Sequence, residues 1–315
     1  MTTEHMTGTP SMTITPLTSG AMIDASAVKD PAKLDLPAIV DAFKTYGAVV
    51  ITGCDIRHAE FVAVTERLAG SFMEYVGGAN NDRDSAYGAS KTVLTVTGGS
   101  AAKYAIPLHG EMFYTLPRPE TLFFCCINPA SENGQTTICD GIKFWAALPD
   151  EAKELFETKR LAYRRIYNDD AWKKVYKTDS LDHVRALCAK NGVQLTEHED
   201  GTIETLHVCH AYHDVPAGRA FINSVLVWMA REYIEGIQDS KVRFEDGSEL
   251  PKELMYKIHA IGESLTQNID WQPGWLAIVD NMRVMHGRRS YEDGKRDIIM
   301  RLSDEPLGVT ALAAE

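Results

Sequence analysis

Two short polar segments, set far apart in the chain, constrain this sequence more than any other feature. The first is Leu108-His109-Gly110-Glu111-Met112. The second is Val279-Asp280-Asn281-Met282-Arg283-Val284-Met285-His286-Gly287-Arg288. On an extended chain residues i and i+2 share a face, so His109 and Glu111 point the same way. Two imidazoles and one carboxylate suit a ferrous ion held on three protein ligands with three positions open. A fold that uses them together must bring the two segments into contact, which favours one domain over two. The plainer alternative is a pair of polar residues at a strand edge, because H-x-E recurs by chance.

The bulk composition permits such a fold and excludes several others. The chain has 315 residues, 44% of them hydrophobic, enough for one sizeable core. Its net charge of −12 and pI near 5.3 argue against a nucleic-acid partner, which needs a basic face. The same balance gives no reason to expect a membrane surface, and it neither requires nor forbids a dimer. No apolar run approaches the roughly 20 residues of a membrane-spanning helix. Six cysteines invite a disulfide reading, but no apolar leader precedes them. Buried or half-buried free thiols and a cytoplasmic location are therefore expected. Cys125 and Cys126, adjacent in the run Leu122–Ile127, would face opposite sides of a strand.

The periodicity along the chain predicts a mostly β architecture with flanking helices. Residues 1–12 read as a disordered leader, and 13–315 as a single domain. Leu36–Phe43 and residues 57–70 read as helices, and Tyr46–Gly53 as a buried strand between glycines. The polar, glycine-rich stretch from about 75 to 105 reads as a lid, since long irregular segments in a domain are usually functional or disordered. Strands are expected at Thr121–Ile127 and Thr136–Cys139, then a helical insert over about 150–190. A helix at Pro251–Asn268 and strands at Trp275–Asp280 and Ile298–Leu302 complete the pattern. A double-sheet jelly roll, or double-stranded β-helix, is a natural container for a metal, because its sheets form an open mouth.

Arg301 lies fifteen positions beyond His286 among apolar residues. A partly buried guanidinium needs a partner, and it can grip a carboxylate through two parallel hydrogen bonds. Thr136 or Thr137 could add a hydroxyl to the same carboxylate. The plain alternatives are a structural salt bridge for the arginine and a surface strand for either threonine.

The chain resembles the taurine dioxygenase and clavaminate synthase-like family of Fe(II)/2-oxoglutarate-dependent oxygenases. The resemblance rests on Ile106–Met112, Pro119–Phe124, Asn133–Gly141 and Asp280–Arg288, taken in that order and spacing. Within the family it looks most like the amino-acid hydroxylases of natural-product pathways. The resemblance implies that His109, Glu111 and His286 bind the iron and that Arg301 binds the 2-oxoglutarate carboxylate. Thr136 is the better match for the co-substrate threonine, with Thr137 as the fallback. Asn133 and Gln135 depart from the family pattern. Glu111 stands where Asp is commoner, and it argues against halogenation, for which relatives carry a small residue there.

The activity implied is oxidation of an unactivated C–H bond, most simply hydroxylation, with O2 consumed and 2-oxoglutarate converted to succinate. Desaturation, cyclisation and epoxidation are open to the same scaffold. The substrate implied is a small amino-acid-like or natural-product molecule, free or tethered to a carrier protein. Substrate contacts are expected among Tyr75, Asn80, Arg83, Tyr104, Asn223 and Arg288. Two rival classes remain: a zinc hydrolase on the same three ligands, and a non-catalytic β-sandwich module. A separate zinc site at His207-x-x-His210-x-x-His213 is disfavoured, since i and i+3 point opposite ways on a strand.

Overall fold

The strand Thr121–Asn128 shows how the core is organised, because both of its faces are covered. Phe123 and Cys125 pack outward beneath helices, while Leu122, Phe124 and Cys126 pack inward against a second sheet. The computed structural model of the chain describes residues 11–78, 90–96, 104–168, 171–292 and 294–308. The outer sheet has seven strands in the order Thr13–Pro16, Ala21–Asp24, Ala48–Thr52, Leu276–Asp280, Thr121–Asn128, Asp297–Ser303 and Leu94–Thr95. The inner sheet has four: Gln267–Ile269, Thr136–Asp140, Val284–Arg288 and Ile106–His109. Ile138, Val284 and Ile269 of the inner sheet meet Leu122, Phe124, Val279 and Met300 of the outer one. The fold is mostly β with flanking helices, a double-stranded β-helix in which two sheets enclose a shared core.

Local chemistry accounts for the covering helices. Asp35 accepts from Ala38 N (3.1 Å) and opens the helix Leu36–Tyr46. Gly47 closes that helix in the left-handed region, φ +73°, and returns its N–H to Phe43 O. Ile39, Val40 and Phe43 of this helix, with Phe61, Val64 and Leu68 of the helix His58–Leu68, cover the outer sheet.

A second core lies on the other side of the inner sheet. It packs Leu108, Cys139 and Met285 against Phe221, Trp228 and the helix Lys252–Leu265. The stretch expected to be a helical insert contains the helices Asp150–Thr158, Ala171–Tyr176 and Leu181–Lys190, and between the first two the strand Leu161–Tyr167. That strand sits inside a further four-stranded sheet with Ser240–Phe244, Ile203–Cys209 and Gln194–Glu197. The run Ala220–Trp228, apolar but for Asn223 and Ser224, divides at those two residues into the end of the strand Gly218–Phe221 and the start of the helix Val225–Tyr233. All six cysteines are free thiols, five of them buried. No helix among the described residues is long and apolar enough to cross a membrane.

Candidate metal centre and active site

His109 ends its strand and stands directly opposite His286 in the inner-sheet register, with ring centroids 4.3 Å apart. The His109 Nδ1 lies 2.9 Å from Pro107 O. A carbonyl only accepts, so this bond places the proton on Nδ1 and leaves the Nε2 lone pair free for an ion. The His286 Nε2 lies 3.5 Å from Glu111 Oε2, and both side chains are buried.

Glu111 sits just beyond the strand end, and its backbone is clamped from the second segment. Its N–H donates to Asn281 Oδ1 (2.7 Å), and Asn281 Nδ2 donates to Glu111 O (3.0 Å) and Pro119 O (2.7 Å). Asn281 is fully buried, so these bonds form without competition from water. Gly110 permits the turn: an added Cβ would lie 2.3 Å from the Phe113 ring. Its carbonyl accepts from Ser224 Oγ (2.8 Å), and its N–H donates to Asn223 O (2.7 Å).

One donor atom from each of His109, Glu111 and His286 lies within 4.8 Å of the others, the only such His/Cys/Asp/Glu group among the described residues. Metal bonds to imidazole and carboxylate run about 2.1 Å, so donors across an ion stand about 4.2 Å apart at most. A small contraction therefore seats an ion on all three. The buried His286 Nδ1 has no hydrogen-bond partner, which leaves that ring free to turn slightly as it does so. The residues present fit a divalent metal on one face with room on the other.

The remaining residues predicted from sequence divide clearly. Thr136 shares the interior face with Ile138, the register partner of His286. Its hydroxyl accepts from Trp271 Nε1 (2.9 Å) and lies 3.5 Å from Arg296 Nη2. Thr137, one residue on, faces the opposite side, where its Oγ1 would lie 2.8 Å from a Cβ added at Gly287.

Arg301 does not join the site, a correction to the sequence reading. It alternates with the inward Met300 and Leu302 and so enters the helix layer. There it donates to Thr65 Oγ1 (2.8 Å) and Thr92 Oγ1 (3.2 Å), lies 3.5 Å from Glu66, and stacks 3.5 Å from the centre of the Phe72 ring. It ties the helix His58–Leu68 to the sheet.

The arginine at the interior is Arg296, just before the last strand. It is 2% exposed, and its Nε donates to Gly134 O (2.9 Å). Arg288, two positions past His286 on the same face, donates to Tyr104 O (2.8 Å). The Tyr291 ring lies about 5 Å from both guanidiniums. Burial, with Arg288 nearby, pushes Arg296 down to about 10, and burial pushes Arg288 down as well. Two crowded, desolvated cations beside a threonine hydroxyl form a setting that a dianion relieves.

Of the expected substrate contacts, Tyr75, Tyr104 and Arg288 line one cavity of about 260 Å³ together with His109 and Glu111. The Tyr75 hydroxyl lies 3.4 Å from that of Tyr114, whose own ionisation burial pushes far up. Asn223 is not a contact: it is fully buried, its Nδ2 donating to Ala211 O and its Oδ1 accepting from Val225 N. Asn80 and Arg83 lie outside the described residues, as does most of the expected lid.

The histidine triplet does not converge. His207 is buried on the strand Ile203–Cys209 and accepts from Arg118 Nη2 (3.1 Å), and burial holds it neutral down to about pH 4. His213 belongs to the next strand, Tyr212–Val215.

Four residues of the site escaped the sequence reading: Asn281, Trp271, Arg296, and Trp228, which lines the cavity beside His109 and Glu111. Asn281 lay inside the second segment in plain view. Arg296 gave no clear signal, since it lies just before the last strand, and a register shift between Asp297 and Ile298 breaks the alternation that would relate it to Arg301.

Comparison with known proteins shows the family and the fold. Over 300 residues the chain is 26% identical to a clavaminate synthase-like protein of Arabidopsis thaliana, spanning 86% of this chain and 89% of that protein. Over 314 residues it is 24% identical to the dapdiamide synthesis protein DdaC of Enterobacter agglomerans, spanning 92% and 90%. The fold is shared with the solved structure of PvcB from Pseudomonas aeruginosa, with a TM-score of 0.57 at 13% identity over 98% and 99% of the two chains. Residues 13–303 match the family described as "Taurine catabolism dioxygenase TauD, TfdA family". That span takes in both metal-binding segments, and the chain belongs to this family as an Fe(II)- and 2-oxoglutarate-dependent dioxygenase.

Proposed function

We propose that this enzyme hydroxylates an unactivated C–H bond of a small amino-acid-like substrate in natural-product biosynthesis. The reaction converts substrate, 2-oxoglutarate and O2 into hydroxylated product, succinate and CO2. The observation that carries the reading is the convergence of His109, Glu111 and His286 at a cavity sized for a small molecule. Similarity to a dapdiamide synthesis protein supports the natural-product setting.

His109, Glu111 and His286 would hold the iron. Ferrous iron bound there supplies the redox chemistry that couples decarboxylation of the co-substrate to oxygen insertion. Thr136 and Arg296 take the distal carboxylate of 2-oxoglutarate, in place of Thr137 and Arg301. Thr136 lies two strand positions from the residue paired with His286, about 6.6 Å along the chain. The Pro107 carbonyl keeps the His109 proton on Nδ1, and Asn281 fixes the Glu111 backbone so that the carboxylate need not reorganise. Tyr75 and Tyr114 wall the cavity, hold substrate beside the ligands and exclude water.

Anaerobic titration of the metal-free protein with Fe(II) and 2-oxoglutarate tests the reading. A weak visible charge-transfer band that needs both additions supports it. Tight zinc binding with no such band would favour hydrolysis. Desaturation, cyclisation or epoxidation would appear instead as product masses lacking the added hydroxyl.

A further inference from the structure

The cavity beside the metal ligands carries two opposite charges that do not pair with each other. Arg231 and Glu235, four residues apart at the end of the helix Val225–Tyr233, both line it. No ion pair joins them, and among the described residues Arg231 is within bridging distance of no carboxylate. Arg219, Arg243 and Arg185, in contrast, each lie within 2.7 Å of one. The Arg231 Nε is buried without a hydrogen-bond partner, and its guanidinium lies 5.9 Å from the Trp228 ring. A buried donor without a partner costs free energy that a ligand acceptor restores.

The other cations near the site have other roles: Arg288, the register partner of Thr136, and Arg296 flank the position given above to 2-oxoglutarate. Arg301 is turned into the helix layer, and Arg288 donates to the Tyr104 carbonyl near Arg296. At the cavity wall away from Thr136, Arg231 is left to meet an anion.

We propose that Arg231 binds the free carboxylate of the substrate and Glu235 its ammonium group, so that the enzyme takes a free, zwitterionic amino acid or short peptide. This rests on the oxygenase reading above and adds the substrate class. A thioester linkage to a carrier protein would remove the carboxylate that Arg231 is placed to hold, so the substrate is untethered when it reacts. The cavity, about 260 Å³, lies at the small end for ligand sites and accords with one amino acid or a dipeptide.

The test measures succinate formation from 2-oxoglutarate by the Fe(II)-loaded full chain. The probes are a panel of free α- and β-amino acids and dipeptides, each alongside its C-terminal amide. Free acids that stimulate turnover while their amides do not are expected. Arg231→Gln should then raise the KM of the stimulating acid about 10- to 100-fold, the range for a lost hydrogen bond to a charged group, while kcat at saturation stays near wild type. Glu235→Gln should raise KM for the same acid and leave N-acetylated acids unaffected.

Equal stimulation by acid and amide, an unchanged KM in Arg231→Gln, or silence across the panel would overturn the assignment. The Fe(II)/2-oxoglutarate charge-transfer band keeps the two levels distinct. Its presence in wild type and Arg231→Gln with no KM change rejects the Arg231 role alone, whereas its absence in wild type rejects the oxygenase reading.

Discussion

Two arginines of the last strand and its approach, Arg301 within it and Arg296 just before it, best separate scaffold from site. Arg301 is buried on the outer face, where threonine hydroxyls, Glu66 and the Phe72 ring surround it. Arg296 is buried on the inner side, beside Thr136, Tyr291 and a second arginine. Burial lowers the Arg301 pKa too, but there Glu66 opposes the shift and, among the described residues, no second cation stands beside it. In the second, burial lowers both cations, Arg288 adds to the shift of Arg296, and no carboxylate among the described residues opposes it, a setting suited to receiving an anion. Burial and an apolar neighbourhood do not mark a binding arginine; the sign of its surroundings does.

The largest expected effect concerns the ligands that give the inner face its purpose. His109→Ala, Glu111→Ala and His286→Ala should each reduce 2-oxoglutarate turnover to background while circular dichroism stays native. Full turnover in any one would remove that residue from the set.

Next comes the stability side of the arginine comparison. Arg301→Gln should lower unfolding free energy by about 1–3 kcal/mol through its lost bonds to Thr65 and Thr92, measured by urea denaturation. Its 2-oxoglutarate affinity should stay within about twofold of wild type, since no displaced group touches the site.

The threonines make a smaller, parallel pair. Thr136→Val should weaken 2-oxoglutarate binding by about 10-fold, one neutral hydrogen bond's worth at its upper end. Thr137→Val should leave it unchanged, and an equal loss in both would show that the strand register differs from the one described.

The smallest effect is a slope with pH. Asp280, beside the Asn281 clamp, is raised from 3.8 to about 6, by burial first and against the Met282 N–H that favours its charged form. The folded state therefore holds this proton more tightly than the unfolded state. The stability it contributes is full below about pH 4 and is lost as pH rises through about 6. Asp280→Asn keeps the Oδ1 acceptor and should flatten that part of the stability profile. A slope unchanged in the variant would assign the titration elsewhere.

Much of this molecule was legible in its sequence. His109-x-Glu111 is a common pattern by itself and stood out only in company with His286 at the end of an apolar strand; the structure brings the three together. The doublet Cys125-Cys126 was legible through strand alternation, one thiol in each core. The helix at Leu36 was legible through Pro37, but it runs past the expected Phe43 to Tyr46, and Gly47, read as a strand boundary, closes it.

Arg301 misled for a physical reason. The run Ile298–Leu302 is buried on both faces, so the alternation that normally reveals which way a side chain points is erased. A strand inside the expected helical insert, Leu161–Tyr167, was hidden because its Arg164 and Arg165 break the apolar run. Arg164 pairs with Glu204 across the sheet, and Arg165 donates to the carbonyls of Gly77 and Gly78. Arg231 and Glu235 gave no signal, because only the cavity makes a pair of them.

The most direct test of the account is the 2-oxoglutarate dissociation constant of Arg296→Gln beside that of Arg301→Gln, read from the charge-transfer band under anaerobic Fe(II). A loss of about 10- to 100-fold in Arg296→Gln, with Arg301→Gln close to wild type, is the predicted result. The reverse pattern, with Arg301→Gln losing the co-substrate and Arg296→Gln keeping it, would contradict the assignment of the inner face as the co-substrate site.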